Sequence, residues 1–242
     1  MVNPGNIAAS GGEEADMHEW ARRVAADWPA LETVERGGWR LGRSEGVTKR
    51  ANCALVLEPG ADVDVVTGFY RRHGLAPCVQ VWPGEEGTGI RLAAAGYRKV
   101  EPTLVLERGL VRRPEGPGTT QIGTRPTLEW SALTAGSERQ ARGVERILGQ
   151  VAAGYGVAPG GRGRGCVVVD GESAAICSMV TATASRGRGV GRGVLGDLLT
   201  WAHDKGARSA YLCVVEGNGP ALGLYEGFGF VPASRYHNRV LG

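Results

Sequence analysis

A run of arginine and glycine in the second half of the chain has the composition of an anion-binding turn. Residues 186–191 read Arg-Gly-Arg-Gly-Val-Gly and stand between a predicted strand, Ala174–Thr183, and a predicted helix. Small residues at such a turn let backbone N–H groups face inward, and the helix adds its own unpaired N–H groups and the positive end of its dipole. The run therefore predicts an anion site that is best suited to phosphate.

Two other phosphate motifs compete for these glycines. A P-loop is excluded because no Gly-Lys-Ser/Thr follows the turn. Gly191–Gly196 matches the dinucleotide pattern GxGxxG, and Glu216 stands where a ribose-binding acid would be. That match begins inside the predicted helix, however, and the chain that follows Glu216 is too short to complete a dinucleotide-binding sheet. An NAD-binding protein stays a remote alternative.

The residues downstream of the turn favour a third interpretation. Arg186-x-x-Gly189-x-Gly191 is followed by "NGPALGLYEGFGF", which starts at Asn218 and contains Tyr225. The two motifs closely resemble those of the GCN5-related N-acetyltransferases (GNAT), namely Gln/Arg-x-x-Gly-x-Gly/Ala and Asn-x-x-Ala-x-x-x-Tyr-x-x-x-Gly-Phe. The resemblance covers about residues 125–242 and implies a mixed α/β fold that binds acetyl-CoA without a metal.

The resemblance implies a role for each matching residue. The turn amides of Gly187–Arg192 would hold the pyrophosphate, with charge added by Arg186 and Arg188, and Asn218 would reach the amide groups of the cofactor. The strand before the turn would pair with the pantetheine arm. The predicted cofactor-binding residues are Met179, Val180, Thr181, Arg186, Gly187, Arg188, Gly189, Val190, Gly191, Arg192 and Asn218.

Tyr225 is the predicted catalytic residue. Direct attack by an amine on a thioester expels a thiolate, which a phenol within hydrogen-bond reach can protonate. The alternatives are structural: Tyr225 could be a core tyrosine, and Asn218 could be a turn residue. The general base is left open among Glu216, Glu172, Asp170 and Glu129, and His237 could line an acceptor site.

Composition bears on the possible partners, on the role of the cysteines and on the cellular compartment. The net charge of +3 is too small to indicate nucleic acid or an anionic membrane as a partner. The five cysteines are widely spaced without a CxxC pair, which argues against both a disulfide framework and a zinc site. No apolar run approaches the roughly 18 residues needed to span a bilayer, and the N-terminus has no signal pattern. We therefore expect a cytoplasmic protein, and we expect it to be a monomer or a homodimer.

Apolar periodicity predicts an alternation of helices and strands along the chain. The helices are predicted at Asp16–Ala26, from Asp62 or Asp64 to about His73, at Ile90–Ala95, at Ser137–Ala153 and after the glycine turn. The strands are predicted at Gly38–Arg43, Ala51–Leu57, Cys78–Trp82, Val100–Leu106, Leu128–Leu133, Cys166–Val169 and Ala174–Thr183. The Arg/Gly segment Gly160–Gly165 is interpreted as a flexible hairpin loop.

The two halves of the chain share an order of elements. An alignment that places Val81 on Val214 also places Gly96 on Gly229. Because both pairs are separated by the same number of residues, they favour an internal duplication. We expect two tandem GNAT-like halves, with boundaries that follow the composition. These are a disordered tail at 1–15, a degenerate half at 16–108, a linker at 109–126 and a catalytic half at 127–242.

The expected activity is acetyl transfer from acetyl-CoA to a primary amine of a small molecule. The alternatives are acetylation of protein N-termini or lysines, and an acyl-CoA-binding sensor without turnover. In the alignment of the two halves, Tyr225 corresponds to Leu92 and Asn218 to Glu85, so the first half lacks the predicted site residues.

Overall fold

A computed structural model describes residues 12–134 and 137–242, and these residues fold around one mixed sheet. Its strands are β1 (Glu32–Arg36), β2 (Trp39–Arg43), β3 (Ala54–Val56), β4 (Cys78–Val81), β5 (Arg98–Gly109), β6 (Gln121–Gly123), β7 (Ala153–Val157), β8 (Gly163–Asp170), β9 (Ser173–Thr181), β10 (Ser209–Val215) and β11 (Val231–Val240). The α-helices are α1 (Gly12–Asp27), α2 (Val63–Arg72), α3 (Glu86–Ala94), α4 (Leu128–Ala132), α5 (Glu138–Leu148), α6 (Val190–Asp204) and α7 (Gly219–Glu226).

The centre of the sheet is formed by strands that cross between the two halves of the chain. The strand order is β1-β2-β3-β4-β11-β5-β10-β9-β8-β7-β6. The last strand of each half therefore pairs with the other half: β5 lies against β10, and β11 lies against β4. The two registers agree, because Leu104 faces Val214 and His237 faces Val81. The alignment that places Val81 on Val214 also places Leu104 on His237. The β4–β11 pair and the β10–β5 pair are therefore equivalent positions in the two halves.

The sheet separates three buried clusters. One lies on the face covered by α1, α4 and α5, and it includes Trp82, Tyr211 and Tyr236. On the opposite face, α6 and α7 cover a second cluster in the second half, and α2 and α3 cover a third in the first half. Alternate residues of β10 point to the two faces, as the period of a strand requires, with Leu212 and Val214 turned toward α6 and α7.

The predicted linker at 109–126 is held against helix α6. The carboxylate of Asp197, a buried residue, accepts hydrogen bonds from the backbone N–H groups of Gly118 (2.7 Å), Thr119 (3.1 Å) and Thr120 (2.8 Å). Further along the same helix, Arg113 makes a paired contact with Asp204 at 2.7 Å. This stretch also contains strand β6, which pairs with β7.

Several predicted elements are wrong in type or extent. Leu128–Leu133 begins a helix, α4, because the hydroxyl of Thr127 accepts the N–H of Trp130 and caps it. The predicted helix Ser137–Ala153 ends at Leu148, and the small residues from Ala153 onward form β7 instead. The short edge strand β1 was not predicted. The predicted disordered tail lies outside the described residues up to 11, and residues 12–15 belong to α1.

The Arg/Gly segment predicted as a flexible loop is partly a buried strand. Residues from Gly163 onward belong to β8, which runs directly beneath α6. A Cβ on Gly163 would lie 2.7 Å from Val190 Cγ1, and one on Gly165 would lie 2.6 Å from Leu198 Cδ1. These two glycines therefore permit close packing of strand and helix.

Candidate active site

Strands β9 and β10 separate part way along their length. Their parallel pairing runs from Ser173–Ser209 to Ile176–Leu212, and no pair follows it. Ser178 has a φ of 52°, and the register between β8 and β9 shifts at this point, so β9 carries a bulge just after the last pair. The backbone edges of Cys177–Thr181 and Cys213–Val215 therefore face an open gap.

The predicted pantetheine-pairing residues lie along this gap. Met179, Val180 and Thr181 are half-buried, whereas Ala174–Ile176, in the paired part of β9, are buried. Their other edge is occupied by β8, since Arg164 faces Val180 and Gly163 faces Thr181. Only the edge toward β10 is free to pair with an extended ligand.

The glycine turn beyond β9 presents a set of backbone N–H groups without acceptors. Gly187 and Gly189 have φ values of 70° and 76°, and Gly189 is the N-cap residue of α6. The first helical bond runs from the N–H of Gly193 to the carbonyl of Gly189. Among the described residues, no acceptor faces the N–H groups of residues 187–192. Such an array at a helix N-terminus suits a phosphate group.

The arginines of this turn add positive charge. Arg186, Arg188 and Arg192 are all exposed, and none of them has a carboxylate partner among the described residues. Arg186 donates to the carbonyl of Thr181 at 3.4 Å, which ties the turn to the end of β9. The turn is therefore cationic as well as rich in N–H donors.

Space for a ligand at this turn depends on Gly191. A Cβ there would lie 3.1 Å from Thr181 Oγ1 and 3.6 Å from Leu224 Cδ2. Gly191 thus leaves open the place where the end of β9, the start of α6 and the side of α7 come together. The residues present fit a phosphate-bearing ligand with an extended arm.

Tyr225 lies on helix α7, on the sheet face that α6 and α7 cover. It is buried, and its ring belongs to the same cluster as Ile176 and Leu212, the last paired residues of β9 and β10. Its hydroxyl has no hydrogen-bond partner among the described residues, and its ring packs edge-on to Phe230 at 6.0 Å. Burial, with a smaller effect from Cys177, raises the pKa of Tyr225 to about 12. The phenol is therefore protonated at neutral pH and can donate.

Asn218 has a structural role that the sequence left as an alternative. It is the N-cap residue of α7, and its side-chain oxygen accepts the N–H of Ala221 at 3.3 Å. The residue is exposed at the end of the gap, just beyond β10. Capping uses its oxygen and leaves its amide nitrogen available to a ligand.

The predicted general bases lie in different places. Asp170 and Glu172 precede β9 at its paired end, away from the gap. Glu129 is exposed on α4. Glu216 follows β10 at the open end of the gap and is exposed. Of the four, Glu216 has the position along the strands that a base would need.

A cavity of about 280 Å³ lies on the sheet face opposite α6 and α7, and the β10 side of the gap borders it. Cys213 and Val215, which lie beyond the last pair between β10 and β9, form part of its wall. Glu101 lines it as well, and its φ of 51° is unusual for a residue other than glycine. The sequence does not single out Glu101, because nothing in its local pattern distinguishes it from any other carboxylate in a strand.

His237 lies on the other side of the sheet. It lines a larger cavity of about 520 Å³ together with Lys99, Glu216 and Arg239. Burial, followed by the positive charges of Lys99 and Arg239, lowers the pKa of His237 to about 4. The imidazole is therefore neutral at physiological pH.

The dinucleotide alternative does not fit the structure. Gly196 lies in the interior of α6, and a Cβ there would come within 3.3 Å of Gly116 Cα, so this glycine permits close packing. Strand β10 has an antiparallel neighbour, β5, where a dinucleotide-binding sheet would continue with parallel strands. Among the described residues no group of three or more potential metal ligands occurs, and no helix combines the length and apolarity needed to cross a bilayer.

Comparison with known proteins gives one consistent result. A family model described as "Probable histone acetyltransferase Rv0428c C-terminal" matches residues 15–239. A Bacillus subtilis (strain 168) protein, "Uncharacterized N-acetyltransferase YobR", is 27% identical over 258 residues, which cover 93% of this chain and 98% of that protein.

Solved structures share the fold. A GCN5-related N-acetyltransferase from Kribbella flavida superimposes with a TM-score of 0.66 at 17% identity, covering 91% of this chain and 94% of the other. A tandem GNAT protein from the clavulanic acid biosynthesis pathway gives a TM-score of 0.60 at 16% identity, covering 91% of this chain and 86% of the other. At these identities the likeness concerns the fold alone.

Proposed function

The chain belongs to the acetyltransferase family described as probable histone acetyltransferase Rv0428c C-terminal, within the GNAT superfamily, and from this we propose that it acetylates a primary amine of a small molecule. GNAT enzymes use acetyl-CoA as the acetyl donor, so the proposal concerns where the donor binds and which acceptor it meets. The observation that carries the proposal is the meeting of three features at one gap: free strand edges, orphan N–H groups and the phenol of Tyr225.

Each feature supplies one requirement of the reaction. Acetyl-CoA, when bound, supplies the activated acetyl group. The N–H groups of residues 187–192 would hold its pyrophosphate, and the free edge of β9 at Met179–Thr181 would pair with its pantetheine arm. The amide nitrogen of Asn218 stands at the same end of the gap. Binding by backbone groups orients the thioester without requiring a metal.

Tyr225 would act as the general acid. As the C–N bond forms and the C–S bond breaks, the sulfur requires a proton, which Tyr225 Oη holds at neutral pH. An ammonium acceptor loses two protons in all. One restores the proton of Tyr225, and the other leaves to a carboxylate at the acceptor cavity or to solvent.

The acceptor cavity supports a small molecule in preference to a protein tail. It lies on the face opposite α6 and α7, so an amine can approach the gap from the side that the cofactor residues leave free. Its volume of about 280 Å³ suits a compact ligand. Protein acetylation and a non-catalytic acyl-CoA sensor are the alternatives that an activity assay would separate.

The first half would shape the acceptor cavity, and we place its origin in an internal duplication. The equal registers of the two exchanged strands support this origin, as does the left-handed conformation shared by Gly96 (φ 86°) and Gly229 (φ 76°). Trp28, Gln80 and Glu101 of the first half line the cavity. The five cysteines are free, which suits the reducing environment of the cytoplasm. The proposal is of a monomer or homodimer, and the net charge of +3 gives no reason to add a nucleic-acid or membrane partner.

Thiol release from acetyl-CoA across a panel of small amines and lysine-containing peptides tests the proposal. We expect acetyl-CoA, and not NAD, to raise the melting temperature, and small amines to outperform peptides. Turnover confined to peptides would favour protein acetylation. Acetyl-CoA binding without thiol release from any amine would favour the sensor, and stabilisation by NAD alone would contradict the assignment of the gap.

A further inference from the structure

The 280 Å³ cavity has walls from both halves of the chain and contains several buried polar atoms without partners. Its floor is formed by strands β4, β11, β5 and β10, and its side by the loop at residues 48–50. Three of its lining residues are Arg50, Gln80 and Asn238. Each of these has a buried nitrogen or oxygen that no described residue satisfies. Buried polar atoms are normally paired, so this cluster calls for a ligand.

Arg50 carries a positive charge without a counter-charge. Its Nε is inaccessible and unbonded, and its Nη2 contacts only the hydroxyl of Tyr236, at 3.5 Å. No carboxylate among the described residues lies within ion-pair distance of it. The guanidinium also lies near the ring of Trp28, at 5.8 Å. An Arg in such a position is pre-arranged for an anion, and a carboxylate matches its fork geometry.

Gln80 adds a second donor to the same region. The residue is 2% exposed, on β4, and its Nε2 has no acceptor among the described residues. Gln80 and Arg50 also share the wall of a smaller cavity next to this one, which shows that the two side chains are neighbours. The charged guanidinium of Arg50 and the amide of Gln80 therefore lie close together in the cavity wall, and both need a hydrogen-bond acceptor.

At the β5 side of the cavity the polar atoms are acceptors, which need a donor. Asn238, which is 5% exposed, has an Oδ1 without a donor, and its Nδ2 donates to Glu101 Oε2 at 3.4 Å. Glu101 also pairs with Lys49 at 2.6 Å at the rim. An amide oxygen beside a carboxylate suits an ammonium group. Glu101 is set two residues beyond the Thr103–Val215 pair, toward the open end of the gap.

We infer that the acceptor is a small amino acid, whose carboxylate binds Arg50 and Gln80 and whose amine is held by Asn238 and Glu101 at the gap. The inference rests on the proposed acetyl transfer and specifies its substrate class. A water molecule takes up about 30 Å³ in the liquid, so the cavity of about 280 Å³ has room for roughly nine non-hydrogen atoms. A free amino acid is of this size. The Lys49–Glu101 pair at the rim keeps the carboxylate of Glu101 beside Asn238.

Amino acids and their carboxamides form the matched probes. The two differ in the charge of one group and hardly in shape, so they report on the anion site alone. With the wild-type protein and saturating acetyl-CoA, we expect kcat/KM for the preferred amino acid to exceed that for its amide by at least about tenfold, as loss of a charged hydrogen bond predicts. Most of the difference should appear in KM.

Arg50→Met should remove most of this preference, because activity with the amino acid should fall about 10- to 100-fold and activity with the uncharged amide should fall much less. Arg50→Lys should restore part of the preference because it keeps the charge. Lys99→Met is the matched control, since it removes an exposed cation beside the other cavity, and it should leave the preference intact. The melting temperature of Arg50→Met should stay level or rise, because an uncompensated charge is removed.

Calorimetric titration of the amino acids into the CoA-saturated protein separates the two proposals. Binding that Arg50→Met abolishes, without thiol release in the assay, would uphold the anion site and contradict acetyl transfer. Acetylation of amides as fast as amino acids would uphold transfer and overturn the anion site. A preference for amino acids that survives Arg50→Met would likewise overturn the role of Arg50.

Discussion

Ile176 and Leu212 form the last pair of the ladder between β9 and β10, and the residues assigned to the acetyl-CoA site follow these two in the chain. A bulge at Ser178 keeps the strands from pairing further. The separation leaves backbone donors and acceptors of two strands exposed to one gap. A soluble protein ordinarily pairs or solvates such edges, so an extended polar ligand is their natural partner.

Filling the space at Gly191 should block the cofactor. In Gly191→Val the new side chain would enter the space between Thr181 and Leu224, where a Cβ already approaches within 3.1 Å of Thr181 Oγ1. We expect acetyl-CoA affinity, measured by titration calorimetry, to fall at least about tenfold. Gly223→Val in α7, where a Cβ meets nothing within 4 Å, is the size-matched control and should bind normally. Equal affinities in the two variants would place the cofactor elsewhere.

Removing the hydroxyl of Tyr225 should slow catalysis without weakening donor binding. General acid catalysis contributes about 10²- to 10⁴-fold, so Tyr225→Phe should lower kcat by about 10²-fold at unchanged KM for acetyl-CoA. The variant should be as stable as the wild type, because the hydroxyl of Tyr225 has no hydrogen-bond partner among the described residues. Tyr97→Phe, which removes a hydroxyl bonded to Thr67 in the first half, should keep its kcat. A Tyr225→Phe enzyme with wild-type kcat would remove Tyr225 from the mechanism.

The attachment of the segment at 116–120 to helix α6 should depend on the buried carboxylate of Asp197. Asp197→Ala strands three backbone N–H groups that now bond to it, so we expect a loss of about 3 kcal/mol in the free energy of unfolding by urea. Asp204→Ala breaks an exposed ion pair between the same helix and Arg113, just before this segment, and it should cost much less stability than Asp197→Ala. If the two variants lose similar stability, the segment is not anchored through Asp197.

Glu85 should make stability depend on pH. Burial raises its pKa from 4.5 to about 7, so the folded state binds this proton more tightly than the unfolded state. The stabilisation that the protonated Glu85 carboxyl gives the folded state is complete below pH 4.5 and is lost as the pH rises through 7. Glu85→Gln, which can still accept the N–H of Trp82, should therefore match the wild type at pH 4 and exceed it by about 3 kcal/mol at pH 8. A pH-independent difference between the two proteins would contradict this.

Much of the fold could be predicted because its signals are local. The glycine turn, the N-cap at Asp62 and the amphipathic pattern of α2 are each formed by residues that lie close together in the chain. Glu85 and Asn218, which correspond in the alignment of the two halves, are indeed both N-cap residues, of α3 and α7. The type of α4 was predicted wrongly because a short helix that buries little besides Trp130 has too few turns to show a period.

The cavity proposed to bind the acceptor could not be predicted because it depends on the exchange of β5 and β11 between the halves. That exchange brings Glu101 and Asn238 together from distant parts of the sequence. The segment at 109–126 looked like a linker for a related reason: its Pro and Gly content is typical of one, and the carboxylate that holds it lies on α6. Long-range partners leave no trace in local composition.

A crystal structure with CoA bound tests the central claim most directly. We predict the pyrophosphate within hydrogen-bond distance of the N–H groups of residues 187–192, and the sulfur in the gap between β9 and β10, within reach of Tyr225 Oη. CoA bound outside this gap, or a sulfur that lies beyond the reach of Tyr225 while the amine is acetylated, would contradict the account.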